Sequence, residues 1–118
     1  MLNLAWETKK ALFDFNKTED DIIWIGTYRY EIDKEKFWKL ADADYDNGPG
    51  TVEVAFNLMI VGDGWWLARD EDKGAEYWEY YELPQRPLRK AKITGLFHKD
   101  DRDLRFGKPI LECINGLL

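Results

Sequence analysis

Four carboxylates after residue 41 have the spacing of a calcium-binding loop. Asp42, Asp44, Asp46 and Glu53 occupy the first, third, fifth and twelfth positions of one stretch. In an EF-hand loop, these positions supply carboxylate oxygens to Ca²⁺. Asn47 stands where that loop normally has its sharp-turn glycine, and a strand is expected to follow instead of a helix. The pattern therefore leaves open both a calcium site and a solvated acidic loop.

A second group of carboxylates lies near Arg69. Glu71, Glu76, Glu79 and Glu82 are expected on the same strand as this arginine or on its neighbour. Paired carboxylates can serve general acid–base chemistry, but exposed cross-strand ion pairs have the same sequence pattern. The sequence supplies no nucleophile motif and no glycine-rich phosphate loop, so ion pairing is favoured over catalysis.

Adjacent tryptophans follow the turn signal of residues 62–64. Successive side chains of a strand point to opposite faces, so Trp65 and Trp66 place one indole on each face. With nearby aromatic residues they predict a platform for a sugar, a base or the apolar anchor of a partner protein. The alternative is that one face is core and a helix covers the other. The predicted binding residues are Trp65, Trp66, Arg69, Tyr77, Trp78 and Tyr80.

Composition bounds the size and setting of the protein. A chain of 118 residues, 45% of them hydrophobic, can build one domain with an ordinary core. The single cysteine, Cys113, excludes an intramolecular disulfide, and the lone His98 argues against a structural zinc site. No signal peptide and no membrane-spanning run is recognisable, and no motif for an organic cofactor is present. These features predict a cytoplasmic protein without a cofactor, calcium excepted.

The charge is divided unevenly along the chain. Residues 1–85 contain nine Lys and Arg against nineteen Asp and Glu, a net charge of -10, whereas residues 86–118 contain eight against four, a net charge of +4. An acidic body attracts basic protein surfaces and repels nucleic acid. Nucleic-acid binding is therefore an alternative only for the basic C-terminal region, where Phe97 and Phe106 stand among the cationic side chains.

Apolar periodicity predicts two helices. A helical period runs over residues 3–15, with Asn3 as a suitable cap, and Asp33 is a suitable N-cap for a shorter helix over residues 34–41. Residues 22–32 are rich in β-branched and aromatic side chains and predict one strand. Residues 52–83 predict a three-stranded antiparallel meander.

Together these elements predict an α+β fold. A twisted antiparallel sheet consists of the strand over residues 22–32 and the meander over residues 52–83, and both helices pack on one of its faces. The chain is expected to be a single domain, residues 1–118, with a basic C-terminal extension from about residue 86.

Three segments in the middle third of the chain share a further pattern: YDNGPG at residues 45–50, LMIVGDGWWLAR at residues 58–69 and GAEYWEY at residues 74–80. They resemble a group of small uncharacterised proteins encoded by phages and mobile elements of Gram-positive gut bacteria. The resemblance implies a mobile-element origin and a cytoplasmic setting, and it brings no catalytic residues. A small acidic protein of this kind would bind a host protein, in some cases by presenting carboxylates in place of DNA phosphate.

The sequence thus favours a non-enzymatic protein-interaction module that contacts a host protein through the aromatic platform. The acidic residues between Glu71 and Glu82 would set the choice of partner through electrostatics. Two alternatives come from other classes. One is a metal-dependent or carboxylate-based enzyme at the Asp42–Glu53 loop, and the other is a nucleic-acid-binding accessory protein that uses the basic extension.

Overall fold

The computed structural model describes residues 1–88, 104–105 and 108–109, and the chain divides into two compact units, Met1–Pro84 and Gln85–Leu118. The boundary falls beside Arg86, where the sequence predicts the basic extension to begin. Most of the basic residues after Arg86 lie outside the described residues, as do His98 and Cys113. The nucleic-acid surface expected there therefore stays a prediction.

Both helices form where the sequence predicts them. Helix α1 spans Leu4–Asp14 and helix α2 spans Lys34–Ala41. The Asn3 side chain accepts the Trp6 N–H at 2.9 Å, and the Asp33 side chain accepts the Lys36 N–H at 3.1 Å. Each cap satisfies one of the N–H groups that the first turn of a helix leaves unpaired.

The strands of the first unit are β1 (Leu2–Asn3), β2 (Ile22–Gly26), β3 (Glu31–Ile32), β4 (Asp44–Tyr45), β5 (Met59–Gly62), β6 (Trp65–Asp72) and β7 (Ala75–Glu82). Five of them form a sheet in which every neighbouring pair is antiparallel, in the order β3-β2-β5-β6-β7. The α+β class and the twisted antiparallel sheet predicted from the sequence are confirmed. A separate pair of short strands, β1 and β4, joins the start of the chain to the end of α2. In the second unit, β8 (Leu104–Arg105) pairs with β9 (Lys108–Pro109).

The prediction of one strand over residues 22–32 is wrong, because the chain turns back after Gly26. The Thr27 N–H donates to the Tyr30 carbonyl at 2.8 Å, and the Thr27 hydroxyl accepts the N–H groups of Arg29 and Tyr30, each at 3.2 Å. Such local side-chain hydrogen bonds compete with a strand ladder. A Cβ at residue 26 would meet the Tyr30 carbonyl, so this tight hairpin requires Gly26.

The first strand of the meander is shorter than predicted. Only Met59–Gly62 pairs in the sheet, and residues 46–58 form an irregular segment. The Glu76 carboxylate accepts the backbone N–H groups of Glu53 at 2.8 Å and of Val54 at 3.1 Å. A buried side chain thus satisfies donors that a strand would have given to its neighbour.

The core lies between the two helices and one face of the sheet. Ile25, Ile60 and Leu67 are aligned across β2, β5 and β6, and all three are fully buried. Leu12 of α1 and Phe37 of α2 belong to the same cluster. The face of the sheet that carries these residues is the inner face, and the opposite face is the outer face.

Candidate interaction surface

A row of large side chains crosses the outer face of the sheet. Trp24, Val61, Trp66 and Tyr81 are successive neighbours on β2, β5, β6 and β7. Neighbouring strands lie about 4.8 Å apart, so the row spans roughly 14 Å. The Trp66 and Tyr81 rings are stacked, with centroids 5.5 Å apart and planes 14° apart. Tyr81 is 42% exposed, and the other three side chains are half-buried. These four residues are the aromatic row.

Carboxylates border the aromatic row. Alternation along the strands places Asp70 and Asp72 of β6 and Glu79 of β7 on the outer face, and the outward positions of β5, β6 and β7 contain no lysine or arginine. Tyr77 also points outward, and its pKa is raised. Desolvation is the largest cause, followed by the negative charges of Asp70, Glu79 and Asp72. The three carboxylates are the acidic border, and their field favours a cationic partner over a phosphate backbone.

The six predicted binding residues do not share one surface. Trp65, Arg69 and Trp78 point to the inner face and are 4%, 7% and 8% exposed. Tyr80 is also on the inner face, stacked on Phe15 at a centroid distance of 4.1 Å. A platform that includes these four residues is therefore wrong, because the strand register places them against the helices.

The other two predicted residues, Trp66 and Tyr77, lie on the outer face. Trp66 is at the centre of the aromatic row and Tyr77 is next to the acidic border. The adjacent tryptophans thus have the two orientations that strand alternation requires, one to the core and one to the outside.

Arg69 is the centre of a buried polar network on the inner face. Its guanidinium donates to Glu7 at 3.2 Å and to the Tyr45 hydroxyl at 2.9 Å, and it lies 3.6 Å from the Glu76 carboxylate. The guanidinium also lies 4.7 Å from the centre of the Trp78 ring. This network connects α1, β4, β6 and β7, and its enclosure supports a structural role over acid–base catalysis.

Two hydroxyl groups complete the polar interior. The Tyr45 hydroxyl donates to Glu7 at 2.6 Å, and burial together with this bond raises the pKa of Tyr45 to about 12. The Trp78 indole N–H donates to the Thr8 hydroxyl at 2.9 Å, and that hydroxyl donates to the Leu4 carbonyl at 2.7 Å. The Tyr45 hydroxyl, the Thr8 hydroxyl and the Trp78 indole N–H thus all have partners within the core, whereas the buried Arg69 Nε has no hydrogen-bond partner among the described residues.

The acidic loop does not assemble the predicted metal site. Within the described residues, no three His, Cys, Asp or Glu side chains come together in an arrangement that would hold a metal ion. Asp42 accepts a hydrogen bond from Asn3 at 3.1 Å, Asp44 lies in β4, and Glu53 accepts the Asp46 N–H at 2.7 Å. The EF-hand spacing fails because β4 extends the chain at the point where a calcium loop would curl around the ion.

Sequence reasoning missed Trp24, Val61 and Tyr81 as members of the outer surface. Each belongs to a segment with the correct strand propensity, but the row exists only through the register between strands that are distant in sequence. Register depends on the buried face and on the turns, so it is weakly encoded in any one strand. The only sequence signal for Trp24 is its place next to Ile25. Because Ile25 is buried and side chains alternate along a strand, Trp24 must point to the outer face.

No protein-family model matches the chain, and no curated protein or solved structure is significantly similar to it. None of the helices in the described part of the chain has the length and apolar character needed to cross a membrane.

Proposed function

We propose that this protein is a non-enzymatic interaction module that binds a partner protein through the aromatic row and the acidic border. The observation that carries the proposal is the position of Trp66 at the centre of a four-residue row on the face opposite the helices. Tryptophan and tyrosine are enriched among the residues that dominate binding energy at protein interfaces. A half-buried indole offers contact area that is already ordered before binding.

The acidic border determines the kind of partner. Asp70, Asp72 and Glu79 place negative charge on one side of the aromatic row, toward the turn between β6 and β7, and residues 1–85 have a net charge of -10. The matching surface is an apolar patch on a partner protein, flanked by lysine or arginine. The resemblance of the middle third to mobile-element proteins makes a cytoplasmic protein of a bacterial host the proposed partner.

The two alternative functions receive less support. Within the described residues, no three carboxylates of the Asp42–Glu53 loop come together in an arrangement that would hold a metal ion, so a metal-dependent enzyme at that loop has less support than binding through the outer face. Nucleic-acid binding rests on the basic extension, most of which lies outside the described residues. On the outer face itself, the acidic border opposes phosphate.

Affinity capture from a bacterial lysate, followed by binding measurements on the purified captured protein, tests the proposal. The full chain should retain one protein in stoichiometric amount at moderate salt and lose it at high salt, because the acidic border contributes to binding. Trp66→Ala should weaken binding to the purified partner about thirtyfold, the loss typical of an interface hot spot.

Trp6→Ala is the matched control. Trp6 is 56% exposed on α1, in the layer that covers the inner face, so its removal deletes the same side chain away from the aromatic row. Circular dichroism of both variants checks that each remains folded. An empty capture, or equal weakening by Trp66→Ala and Trp6→Ala, would contradict the proposed function.

A further inference from the structure

A cleft of about 280 Å³ opens on the helix side of the first unit. Its walls come from α2, from β3 and β4, from Leu4 at the start of α1, and from residues 53–58 of the irregular segment. This cleft involves none of the aromatic row, so it is distinct from the proposed interaction surface. Its apolar lining includes Leu4, Ile32, Phe37, Leu40, Val54 and Leu58.

The volume of the cleft limits the size of a ligand. A water molecule occupies about 30 Å³ in the liquid, so the cleft holds roughly nine groups of that size. This is just below the range of about 300–1,000 Å³ found for pockets that take drug-sized molecules. A chain of six to eight carbon atoms with one polar end matches this space, because each carbon and the polar end count as one group, roughly seven to nine in all.

The polar atoms of the cleft select the polar end of the ligand. The side chains of Asp44 and Glu53 provide only acceptors, and no lysine or arginine lines the cleft. The Tyr45 hydroxyl already donates a hydrogen bond to Glu7 and accepts one from Arg69. A ligand group that donates hydrogen bonds and carries positive charge is therefore complementary to the cleft, whereas a carboxylate is repelled.

One wall of the cleft is fixed before any ligand binds. The buried Glu76 carboxylate holds the backbone N–H groups of Glu53 and Val54, and the Asn47 carbonyl accepts the Glu76 N–H at 2.7 Å. These three bonds attach the irregular segment to β7 at two separate points. Less conformational freedom is lost on binding when the site is held in place in advance.

From these observations we infer that the cleft binds a small amphipathic amine. The alkyl chain lies among the apolar side chains, and the ammonium group donates to the carboxylates of Asp44 and Glu53 at the mouth. This assignment adds a ligand site to the proposed interaction module and does not depend on it.

Titration calorimetry on the full chain, with four probes, tests the inference. Hexylammonium should bind about tenfold more tightly than hexanol, because a hydrogen bond to a charged group is stronger than a neutral one. Hexanoate should not bind, since it brings a third carboxylate to the mouth. Methylammonium should not bind measurably, because each methylene contributes about fourfold to the association constant. Equal binding of hexylammonium and hexanol, or no binding of either, overturns the inference.

Variants locate the site. Asp44→Asn combined with Glu53→Gln should remove the preference for hexylammonium over hexanol, and the amide carbonyl introduced at position 53 can still accept the Asp46 N–H. The control pair, Asp63→Asn with Glu19→Gln, removes the same charge from exposed positions outside the cleft and should keep the preference. Loss of the preference in both pairs would show general attraction to an acidic protein and overturn the site.

A substitution that fills the cleft with a larger side chain provides a second, independent test of where hexylammonium binds. Ala55 lines the cleft and is exposed, so Ala55→Phe can add a ring at the cleft with little effect on the core. Hexylammonium binding should be lost, while the unfolding midpoint in urea stays close to that of the parent. If hexylammonium binds the folded Ala55→Phe variant as tightly as the parent, the ligand lies elsewhere and the inference is wrong.

Discussion

The Arg69 guanidinium lies 3.6 Å from the Glu76 carboxylate, and the two side chains are only 3% and 1% exposed. Two charges removed from water in this way are stable only when further hydrogen bonds complete their coordination. Arg69 also donates to Glu7 and Tyr45, while Glu76 also accepts two backbone N–H groups. The pair therefore holds α1, β4 and the irregular segment against the hairpin of β6 and β7.

Arg69→Met should lower the free energy of unfolding by about 3–5 kcal/mol, because it leaves the Glu76 carboxylate buried without its cation. Adding Glu76→Gln should recover only a part of this loss, since it removes one of the two carboxylate charges that Arg69 had paired while the Glu7 carboxylate remains. Urea unfolding of the two variants and the parent measures both effects.

The exposed pair of Lys39 and Glu35 supplies the control. Their side chains are 76% and 81% exposed, so Lys39→Met should change the free energy of unfolding by less than about 1 kcal/mol. If Arg69→Met is as mild as Lys39→Met, the buried network does not hold the fold together.

The bond from the Trp78 indole to Thr8 gives a second test of the interior. Thr8 is fully buried, and Thr8→Val keeps its shape but removes the acceptor of the indole N–H. The unpaired N–H should cost about 1–3 kcal/mol of stability. Thr8→Ser keeps the hydroxyl and loses one methyl, so its smaller loss of about 1 kcal/mol comes from packing. A Thr8→Val variant as stable as the parent would mean that the hydrogen bond contributes nothing measurable.

Local signals predicted the helices well. Asp33 is followed by a stripe that includes Phe37, and α2 begins and ends where that pattern does. In the same way, the alternation from Trp65 onward correctly predicted a strand followed by a turn and a second strand. These elements depend on caps, periods and turns that lie within about ten residues of each other.

The candidate surface was less predictable because it depends on contacts between distant residues. Arg69 was expected to meet glutamates on β7, and Glu76 does so, but the structure adds Glu7 and Tyr45 from other parts of the chain. No periodicity links Glu7 to Arg69, which is 62 positions away. Whether Trp65 or Trp66 is buried likewise depends on the sheet register, which the order of the two residues does not determine.

The two adjacent tryptophans should differ strongly in their effect on stability. Trp65 belongs to the core cluster and Trp66 to the aromatic row. Trp65→Ala should cost about 3–5 kcal/mol, the usual loss for a large aromatic residue removed from a core. Trp66→Ala should cost about 1 kcal/mol, since its ring stacks on Tyr81 at the surface. Urea unfolding of the two variants compares them directly, and a larger loss for Trp66→Ala would reverse the assignment of the two faces.

Alkaline pH should destabilise the protein through Tyr45. The pKa of Tyr45 is raised from 10.0 to about 12 by burial and by its hydrogen bond to Glu7, with the nearby Arg69 acting in the opposite direction. The unfolded chain therefore loses the tyrosine proton first. The stabilising contribution is fully present below pH 10 and is lost as the pH rises toward about 12. Two pH units correspond to about 3 kcal/mol at most.

Tyr45→Phe isolates this contribution from those of Tyr77 and Tyr80, whose pKa values are also raised, first by desolvation. Phenylalanine keeps the ring against Arg69 but has no proton to lose, so the variant should be less stable than the parent near neutral pH and lose less stability above pH 10. Urea unfolding at a series of alkaline pH values measures the difference between the two proteins. Parallel curves for parent and variant would show that the Tyr45 hydroxyl titrates alike in the folded and unfolded chains, contrary to its enclosed position between Glu7 and Arg69.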